Sequence, residues 1–339
     1  SQCSGKEITI PDKVSVIGFS AFDGHGDDLT EITIPDSVVE IDSCAFKNCK
    51  SLSNVKIGKG VRKIGDFAFY ECSSLKSITI PGNVEKIAQY AFQECESLET
   101  VNMEVGVKEI GEGVFYGCTN LKDIQLPESI VKIGDDPFKY TSWLEEQKQS
   151  NEFVIVNGIL ITVGKLEPIG GHVIVPSNVT RIGSDAFDNC EGITSITLPD
   201  GLISIGNYAF SGCGDLVDIS IPSSVKNIGK GAFGRTPWIE AKKKQEDFVI
   251  VNNILLERGK INLVDGHLTI PNGITEIADS AFYFDSDISS VTIPGSVKRI
   301  GESAFEECKN LEKVIIEDGV TQIGDYAFAY GKVREKDVS

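Results

Sequence analysis

The sequence predicts a right-handed α/β solenoid of about 12 coils, in which one parallel β-sheet lies opposite a side made of turns or short helices. Two observations predict this fold. The segment that begins at Ile78 returns 23 residues later at Val101, and its pattern can be written I-x-I-P-x-x-V-x-x-I-G-x-x-A-F-x-x-C-x-x-L-x-x. The apolar residues of one such segment cannot be buried by that segment alone, so neighbouring coils have to stack on one another.

Twelve segments align on this pattern and together reach from residue 8 to about residue 330. We therefore expect residues 1–339 to form a single solenoid rather than two or three separate domains. The coils start at Ile8, Ile32, Val55, Ile78, Val101, Ile124, Val173, Ile196, Ile219, Leu268, Val291 and Val314.

Each part of the repeat has a physical role. The I-x-I step alternates side chains inward and outward, as a short strand does, and the Pro or Gly after it ends the strand. The V-x-x-I-G segment then turns the chain with its Val and Ile pointing inward. The Ala and Phe of the A-F pair fill one layer of the core, and Leu closes the coil. Strands of successive coils are expected to form the parallel sheet, about 4.8 Å apart.

Two inserts interrupt the spacing, at about residues 139–172 and 234–267. From Ile124 to Val173 the coil starts are 49 residues apart instead of 23, and the same spacing recurs after Ile219. The inserts match each other in sequence. Each begins with a Thr suited to cap a short helix, and each contains two apolar runs joined by Asn-Gly or Asn-Asn, which favour a tight hairpin turn. Each insert is therefore predicted to be a helix and a hairpin that project from one side of the solenoid.

The only two tryptophans of the chain, Trp143 and Trp238, lie in these inserts. One interpretation is that each Trp packs its insert onto the body of the solenoid. The other is that each is an aromatic anchor for a binding partner.

Composition and motifs exclude several classes of function. The net charge is −18, from 50 acidic and 32 basic residues, and this sign repels a phosphate backbone, so no nucleic-acid partner is expected. No apolar run of about 18 residues is present, so no segment of this chain is expected to insert into a membrane. The sequence contains no G-x-S-x-G, no H-E-x-x-H and no phosphate-binding glycine loop. We expect no catalytic residue, no cofactor and no metal site, and hence no enzyme.

The nine cysteines follow the repeat. Seven of them share one slot, which is the position three residues after the Phe of a coil. Cys3 lies one residue short of this slot, in a preceding partial coil, and Cys44 lies outside it. Neighbouring Cα atoms in such a slot would be close enough for disulfides, but a ladder of small buried thiols is the favoured interpretation. A zinc site would need converging ligands, whereas these residues form a line. The slot holds Cys49, Cys72, Cys95, Cys118, Cys190, Cys213 and Cys308.

The outward positions of the predicted strands are the first candidate for a partner-binding surface. They are polar and rich in Thr, which also suits an exposed strand with no binding role. A second candidate is an aromatic set directly before the A-F pairs, Phe67, Tyr90, Tyr208 and Tyr326. The candidate partner-binding residues are Thr33, Lys56, Thr79, Asn102, Gln125 and Thr197 on the strands, with Trp143 and Trp238 in the inserts.

The pattern I-x-I-P…I-G…A-F-x-x-C-x-x-L at 23 residues resembles the BspA-like, or Treponema-type, bacterial leucine-rich repeat, over nearly the whole chain. The resemblance implies a leucine-rich-repeat horseshoe and a cell-surface or secreted protein. It also implies adhesion, with a protein or glycan ligand on a host or bacterial surface as partner. Because free thiols sit poorly with an oxidising environment, an anaerobic bacterial source is expected.

A rigid spacer or scaffold region of a larger surface protein is the alternative function. The chain begins almost inside a coil, at Ile8, without a polar capping unit, and solenoids need such caps. This feature favours a piece of a longer chain and, with it, the spacer interpretation.

Overall fold

The computed structural model describes residues 7–25, 28–166 and 170–332. Cys3, which the repeat places near the cysteine slot, lies outside the described residues. The chain forms two compact units, Ser1–Leu166 and Glu167–Ser339, which we call the first and the second unit.

The first unit contains fourteen strands and one helix among its described residues. They are β1 (Glu7–Thr9), β2 (Val16–Ile17), β3 (Glu31–Thr33), β4 (Glu40–Ile41), β5 (Asn54–Lys56), β6 (Lys63–Ile64), β7 (Ser77–Ile80), β8 (Lys86–Ile87), β9 (Thr100–Met103), β10 (Glu109–Ile110), β11 (Asp123–Gln125), β12 (Lys132–Ile133), α1 (Ser142–Ser150), β13 (Phe153–Val156) and β14 (Ile159–Val163).

The second unit has the same kinds of element. They are β15 (His172–Ile174), β16 (Arg181–Ile182), β17 (Ser195–Thr197), β18 (Ser204–Ile205), β19 (Asp218–Ser220), β20 (Asn227–Ile228), α2 (Pro237–Gln245), β21 (Phe248–Val251), β22 (Ile254–Arg258), β23 (His267–Thr269), β24 (Glu276–Ile277), β25 (Ser290–Ile293), β26 (Arg299–Ile300), β27 (Lys313–Ile316) and β28 (Gln322–Ile323).

All twelve predicted coil starts lie in strands, and those strands pair in parallel. In the first unit they form two three-stranded sheets, β1-β3-β5 and β7-β9-β11, and in the second unit β15-β17-β19 and β23-β25-β27. Equivalent positions of successive coils stand side by side, as Ile78 does with Val101. Each unit is therefore a parallel-strand solenoid, and the predicted fold class is confirmed.

The V-x-x-I-G segments form a second parallel ladder, which the repeat pattern did not predict as strands. In the first unit it runs through six two-residue strands in the order β2-β4-β6-β8-β10-β12. The Ile of each strand points inward; Ile41, Ile64 and Ile87 are fully buried. A two-residue strand is short enough to look like a turn in the sequence, because period-two alternation needs more residues to show.

The core of each unit is a column of stacked phenylalanines from the A-F pairs. The ring centroids of Phe46 and Phe69 are 5.0 Å apart, and those of Phe69 and Phe92 are 5.1 Å apart, with nearly parallel planes. In the second unit Phe282 and Phe305 stack at 4.8 Å. The stacking repeats because every coil places the same ring at the same height. Most of the rings are completely buried, whereas Phe22 and Phe328 are half-buried.

The helices begin where the sequence predicts. Thr141 and Thr236 are the N-cap residues, and their hydroxyls accept hydrogen bonds from Leu144 N at 3.1 Å and Ile239 N at 3.2 Å. Pro237 follows Thr236 in the first turn of α2, where its missing N–H costs nothing. Within the described ranges, neither helix is long and apolar enough to cross a membrane.

The hairpins have the predicted tight turns, with positive φ at Asn157 and Gly158 and at Asn252 and Asn253. The prediction that they project from the solenoid is wrong for the second unit. There β22 pairs in parallel with β24, and so it continues the short-strand ladder β22-β24-β26-β28. The second insert thus supplies one further strand of this ladder, in which the buried Leu255 stands beside the buried Ile277 of β24.

Candidate functional site

The first unit has a groove of about 700 Å³ on the outward side of its first sheet. It forms where outward side chains of β3, β5 and β7 lie side by side above buried Ile32 and Val55. Its lining residues are Ile8, Thr9, Glu31, Ile32, Thr33, Asn54, Val55, Lys56, Ile57, Lys59, Ser77, Thr79, Pro81 and Glu104.

Three of the predicted partner-binding residues line this groove. Thr33 and Lys56 stand directly opposite each other across β3 and β5, and Thr79 follows on β7. All three are exposed. The outward positions of strands therefore come together here as the sequence predicts, because parallel strands in register align equivalent residues.

The remaining strand candidates are divided between the units. Asn102 pairs with Thr79 and Gln125 pairs with Asn102, so these two continue the same outward row in the first unit beyond the groove. Thr197 lies in the second unit, opposite Ser220 of β19. The structure thus brings five of the six strand candidates into one row of the first unit, whereas Thr197 belongs to the second unit.

The two tryptophans pack inward. Trp238 is only 8% exposed, and its ring lies 4.8 Å from that of Phe233. Trp143 is half-buried, with its ring 4.9 Å from that of Phe138. These contacts agree with the interpretation that each Trp packs its insert against the core. They leave Trp238 little exposed surface for a partner.

The four aromatic residues that precede A-F pairs are also divided between the two units, and they differ in exposure. Phe67 and Tyr90 stack at 5.1 Å in the first unit and are half-buried. Tyr208 is 39% exposed and Tyr326 is 64% exposed in the second unit. All four have positive φ, a conformation that costs an ordinary side chain energy and that the coil geometry imposes at this position.

The groove carries charges of both signs at its rim, which the outward strand positions alone did not predict. Glu31 precedes the outward Thr33 on β3, while Lys59 and Glu104 come from the turns after β5 and β9. The Lys59 N–H donates to the carboxylate of Asp36 at 2.7 Å, and Glu104 accepts from Gly82 N at 3.0 Å. Sequence reasoning missed Lys59 because it lies beyond Gly58, which ends its strand. It missed Glu104 because this residue replaces the Pro or Gly that follows the strand in other coils.

The cysteine slot is occupied by free thiols, as predicted. All eight described cysteines are free, and six of the seven in the slot are buried, with Cys190 and the out-of-slot Cys44 half-buried. Burial raises the pKa of Cys49 to about 12. A thiol held protonated in this way is neither a nucleophile nor a metal ligand.

Two histidines take matched positions on the strand surface. His172 Nδ1 lies 2.7 Å from Ser195 Oγ, and His267 Nδ1 lies 2.8 Å from Ser290 Oγ. Both histidines are exposed, and the pairs coincide because the coils after the two inserts repeat each other. Across the described residues, no group of three or more His, Cys, Asp or Glu side chains is arranged to hold a metal ion.

Comparison with known proteins gives a family match along most of the chain. The family model for the BspA type leucine rich repeat region, in six copies, matches residues 1–104, 25–145, 171–254 and 260–338. A search of curated proteins returned no match.

Solved structures of bacterial proteins are also similar. A leucine rich cell surface protein from Faecalibacterium prausnitzii is 26% identical, with a TM-score of 0.39, and the alignment covers 95% of this chain and 88% of that chain. A leucine-rich repeat protein from Eubacterium ventriosum is 22% identical, with a TM-score of 0.41, and the alignment covers 96% of this chain and 89% of that chain.

Proposed function

Because the chain belongs to the family of BspA type leucine rich repeat regions, we propose that it is a non-enzymatic binding module at the cell surface or outside the cell. Its partner is a protein or glycan of a host or bacterial surface, and adhesion is the outcome of binding. The groove of the first unit is the surface that meets this partner.

The observation that carries this proposal is the convergence of Thr33, Lys56 and Thr79 in one groove. Their hydroxyl and ammonium groups are exposed, whereas the apolar residues of the same strands are buried. Hydroxyls donate and accept hydrogen bonds and the ammonium group donates, so the row offers polar contacts at a regular spacing. An extended chain laid across the strands would meet several of these groups at once.

A binding screen tests the proposal. The chain is presented to immobilised matrix proteins, to a glycan array and to bacterial cells, and binding is measured by surface plasmon resonance or flow cytometry. The triple variant T33A/K56A/T79A is expected to weaken binding at least about tenfold, a typical loss when central contacts are removed.

The matched control is S220A/T269A/K313A, which removes two hydroxyls and one ammonium group from the strand surface of the second unit. It is expected to bind like the unaltered chain. Equal loss in both triple variants would place the partner elsewhere. If the chain binds none of the matrix proteins, glycans or bacterial cells, the binding proposal is overturned in favour of a rigid spacer.

A further inference from the structure

The second unit contains a cavity of about 660 Å³ beside its insert. The insert contributes Lys243 of α2 together with Glu257 and Arg258 of β22, and the facing walls include Tyr208 and Tyr283. The volume lies in the range of about 300–1,000 Å³ that is typical of small-ligand sites.

Two tyrosine rings give this cavity apolar surfaces. Tyr208 is 39% exposed and Tyr283 is 45% exposed. The ring of Tyr208 lies across Gly231, where an added Cβ would come within 2.7 Å of the ring. The absence of a side chain at Gly231 therefore lets the ring lie flat. The ammonium group of Lys230 lies 5.6 Å from the centre of the Tyr283 ring, within the range of a cation–π contact.

The charged groups of the cavity hold one another in place. Nη1 of Arg258 donates to both carboxylate oxygens of Asp285, at 2.8 and 2.7 Å, and to Asp287 at 3.2 Å. Lys243 lies 3.0 Å from the carboxylate of Glu257. Donors and acceptors thus lie next to each other along the wall, and neither sign of charge dominates it.

The duplicated inserts provide an internal comparison. The two inserts and their flanking coils align without gaps, and a repeat that served packing alone would keep similar residues at equivalent positions. Lys243 has Lys148 as its counterpart, but the inserts and their flanking coils differ at four other residues that give this cavity its chemistry. The region of the first insert has Gly113, Val163, Asp188 and Cys190 where the second has Tyr208, Arg258, Tyr283 and Asp285, respectively.

Asp285 departs most clearly from the repeat. It occupies the slot that holds a cysteine in seven other coils, six of those cysteines being buried, and its side chain is only 14% exposed. Burying a carboxylate is costly unless it is paired, and Arg258 supplies that pair from the insert. A local break in a repeat is where a functional site is expected, and here the break and its compensating partner lie together in one cavity.

We propose that this cavity binds a neutral oligosaccharide. Each sugar hydroxyl both donates and accepts hydrogen bonds, so it can bridge adjacent carboxylate and guanidinium or ammonium groups. The tyrosine rings present flat faces for the C–H face of a sugar ring. A phosphate or sulfate would meet the carboxylates of Asp285 and Asp287, and a cationic peptide would meet Arg258 and Lys243. This site and the groove of the first unit share no lining residue, so the two proposals are tested independently.

An array of neutral oligosaccharides tests the proposal, using cello-, manno-, xylo- and chitohexaose with sulfated and sialylated oligosaccharides alongside. We expect the intact chain to bind at least one neutral hexasaccharide. That binding should persist at about 0.5 M salt, because screening acts on charged ligands. The variants Y283D and R258V/D285C introduce the residues of the first insert, and each is expected to weaken binding at least about tenfold.

The matched control is Y208G against Y326G. Both remove a tyrosine at the same coil position and with positive φ, but only Tyr208 lines the cavity. Y208G should lose binding and Y326G should keep it, and T33A/K56A/T79A should keep it as well. Binding of none of the four neutral hexasaccharides would overturn the proposal. So would binding confined to the acidic sugars, or equal affinity in Y283D and the unaltered chain.

Discussion

The thiol of Cys95 donates a hydrogen bond to the backbone carbonyl of Phe69, at a sulfur to oxygen distance of 3.1 Å, and so ties one coil to the coil before it. Cys118 makes the same bond to the carbonyl of Phe92 at 3.1 Å. The cysteine slot is therefore defined by a bond between coils as well as by size. A small side chain that is both apolar and a weak donor meets both requirements.

Replacing Cys95 with alanine is expected to lower the free energy of unfolding by about 1–2 kcal/mol, from the lost bond and the small void. Cys44 lies outside the slot and is half-buried, so C44A should change the free energy by less than about 0.5 kcal/mol. Urea unfolding of both variants under reducing conditions measures the difference. Equal effects in the two variants would contradict a stabilising role for the thiol in the cysteine slot.

The buried thiols are expected to make the free energy of unfolding fall as the pH becomes alkaline. Burial raises the pKa of Cys95 and of Cys118 well above the ordinary value, and burial raises that of Cys308 to about 12. The folded chain keeps these protons while the unfolded chain releases them above pH about 8.5. The stabilisation is therefore full below that pH and is lost as pH rises. The loss reaches about 1.4 kcal/mol per pH unit for each thiol.

Urea unfolding between pH about 7.5 and 9.5 under reducing conditions checks this dependence. The window stays below the range in which tyrosines of the unfolded chain titrate, near pH 10. That limit matters because the hydrogen bond to Glu112 raises the pKa of Tyr90 to about 12. The double variant C95A/C118A should have a shallower decline, since two thiols no longer contribute. The same slope with and without the two thiols would refute the assignment.

The N-cap of α2 is expected to be a strong local determinant of stability. Thr236 is 1% exposed, and its hydroxyl accepts from Ile239 N and donates to Phe233 O at 2.8 Å. T236A should cost about 1–2 kcal/mol, because it removes both bonds in a buried place. T236S keeps the hydroxyl and should recover most of the loss. K244A, at an exposed position of the same helix, is the control, and thermal or urea unfolding gives the values.

The repeat made the regular part of the fold predictable. Because Ile78 and Val101 occupy the same step of a 23-residue pattern, stacking alone requires their strands to pair, and they do. The N-cap threonines and the positive φ at Asn157 and Asn252 were also predictable, because each depends on the chemistry of a few neighbouring residues. The outward position of Thr33 followed from period-two alternation.

The sites were less predictable because they arise between segments that are distant in sequence. Arg258 and Asp285 meet only after the hairpin has joined the short-strand ladder, and the alignment of coils does not show that step. Lys59 lies beyond its strand and reaches the groove through the coil's turn. The one sequence signal for the cavity was Asp285, which interrupts the row of cysteines, and its meaning depends on the contact that it makes with Arg258.

One asparagine in each hairpin turn bonds the hairpin to the preceding coil, and this contact can be tested by mutation. The side-chain amide of Asn252 donates to the carbonyls of Pro222 and Val225, at 2.9 and 3.1 Å, in the preceding coil. Asn157 makes the same pair of bonds in the first unit, so the contact is a property of the insert rather than of one site. N252D removes the donor and puts a carboxylate against two carbonyl oxygens, and we expect it to cost about 2 kcal/mol.

N253D is the matched control for this change. Asn252 and Asn253 both have positive φ, at 47° and 64°, and Asp tolerates that region about as well as Asn does. The backbone cost is therefore similar, and N253D should cost less than about 0.5 kcal/mol. Hydrogen exchange followed by mass spectrometry should show protection lost across β21 and β22 in N252D alone. If both variants lose protection equally, turn propensity and not the bond to the preceding coil holds the hairpin in place.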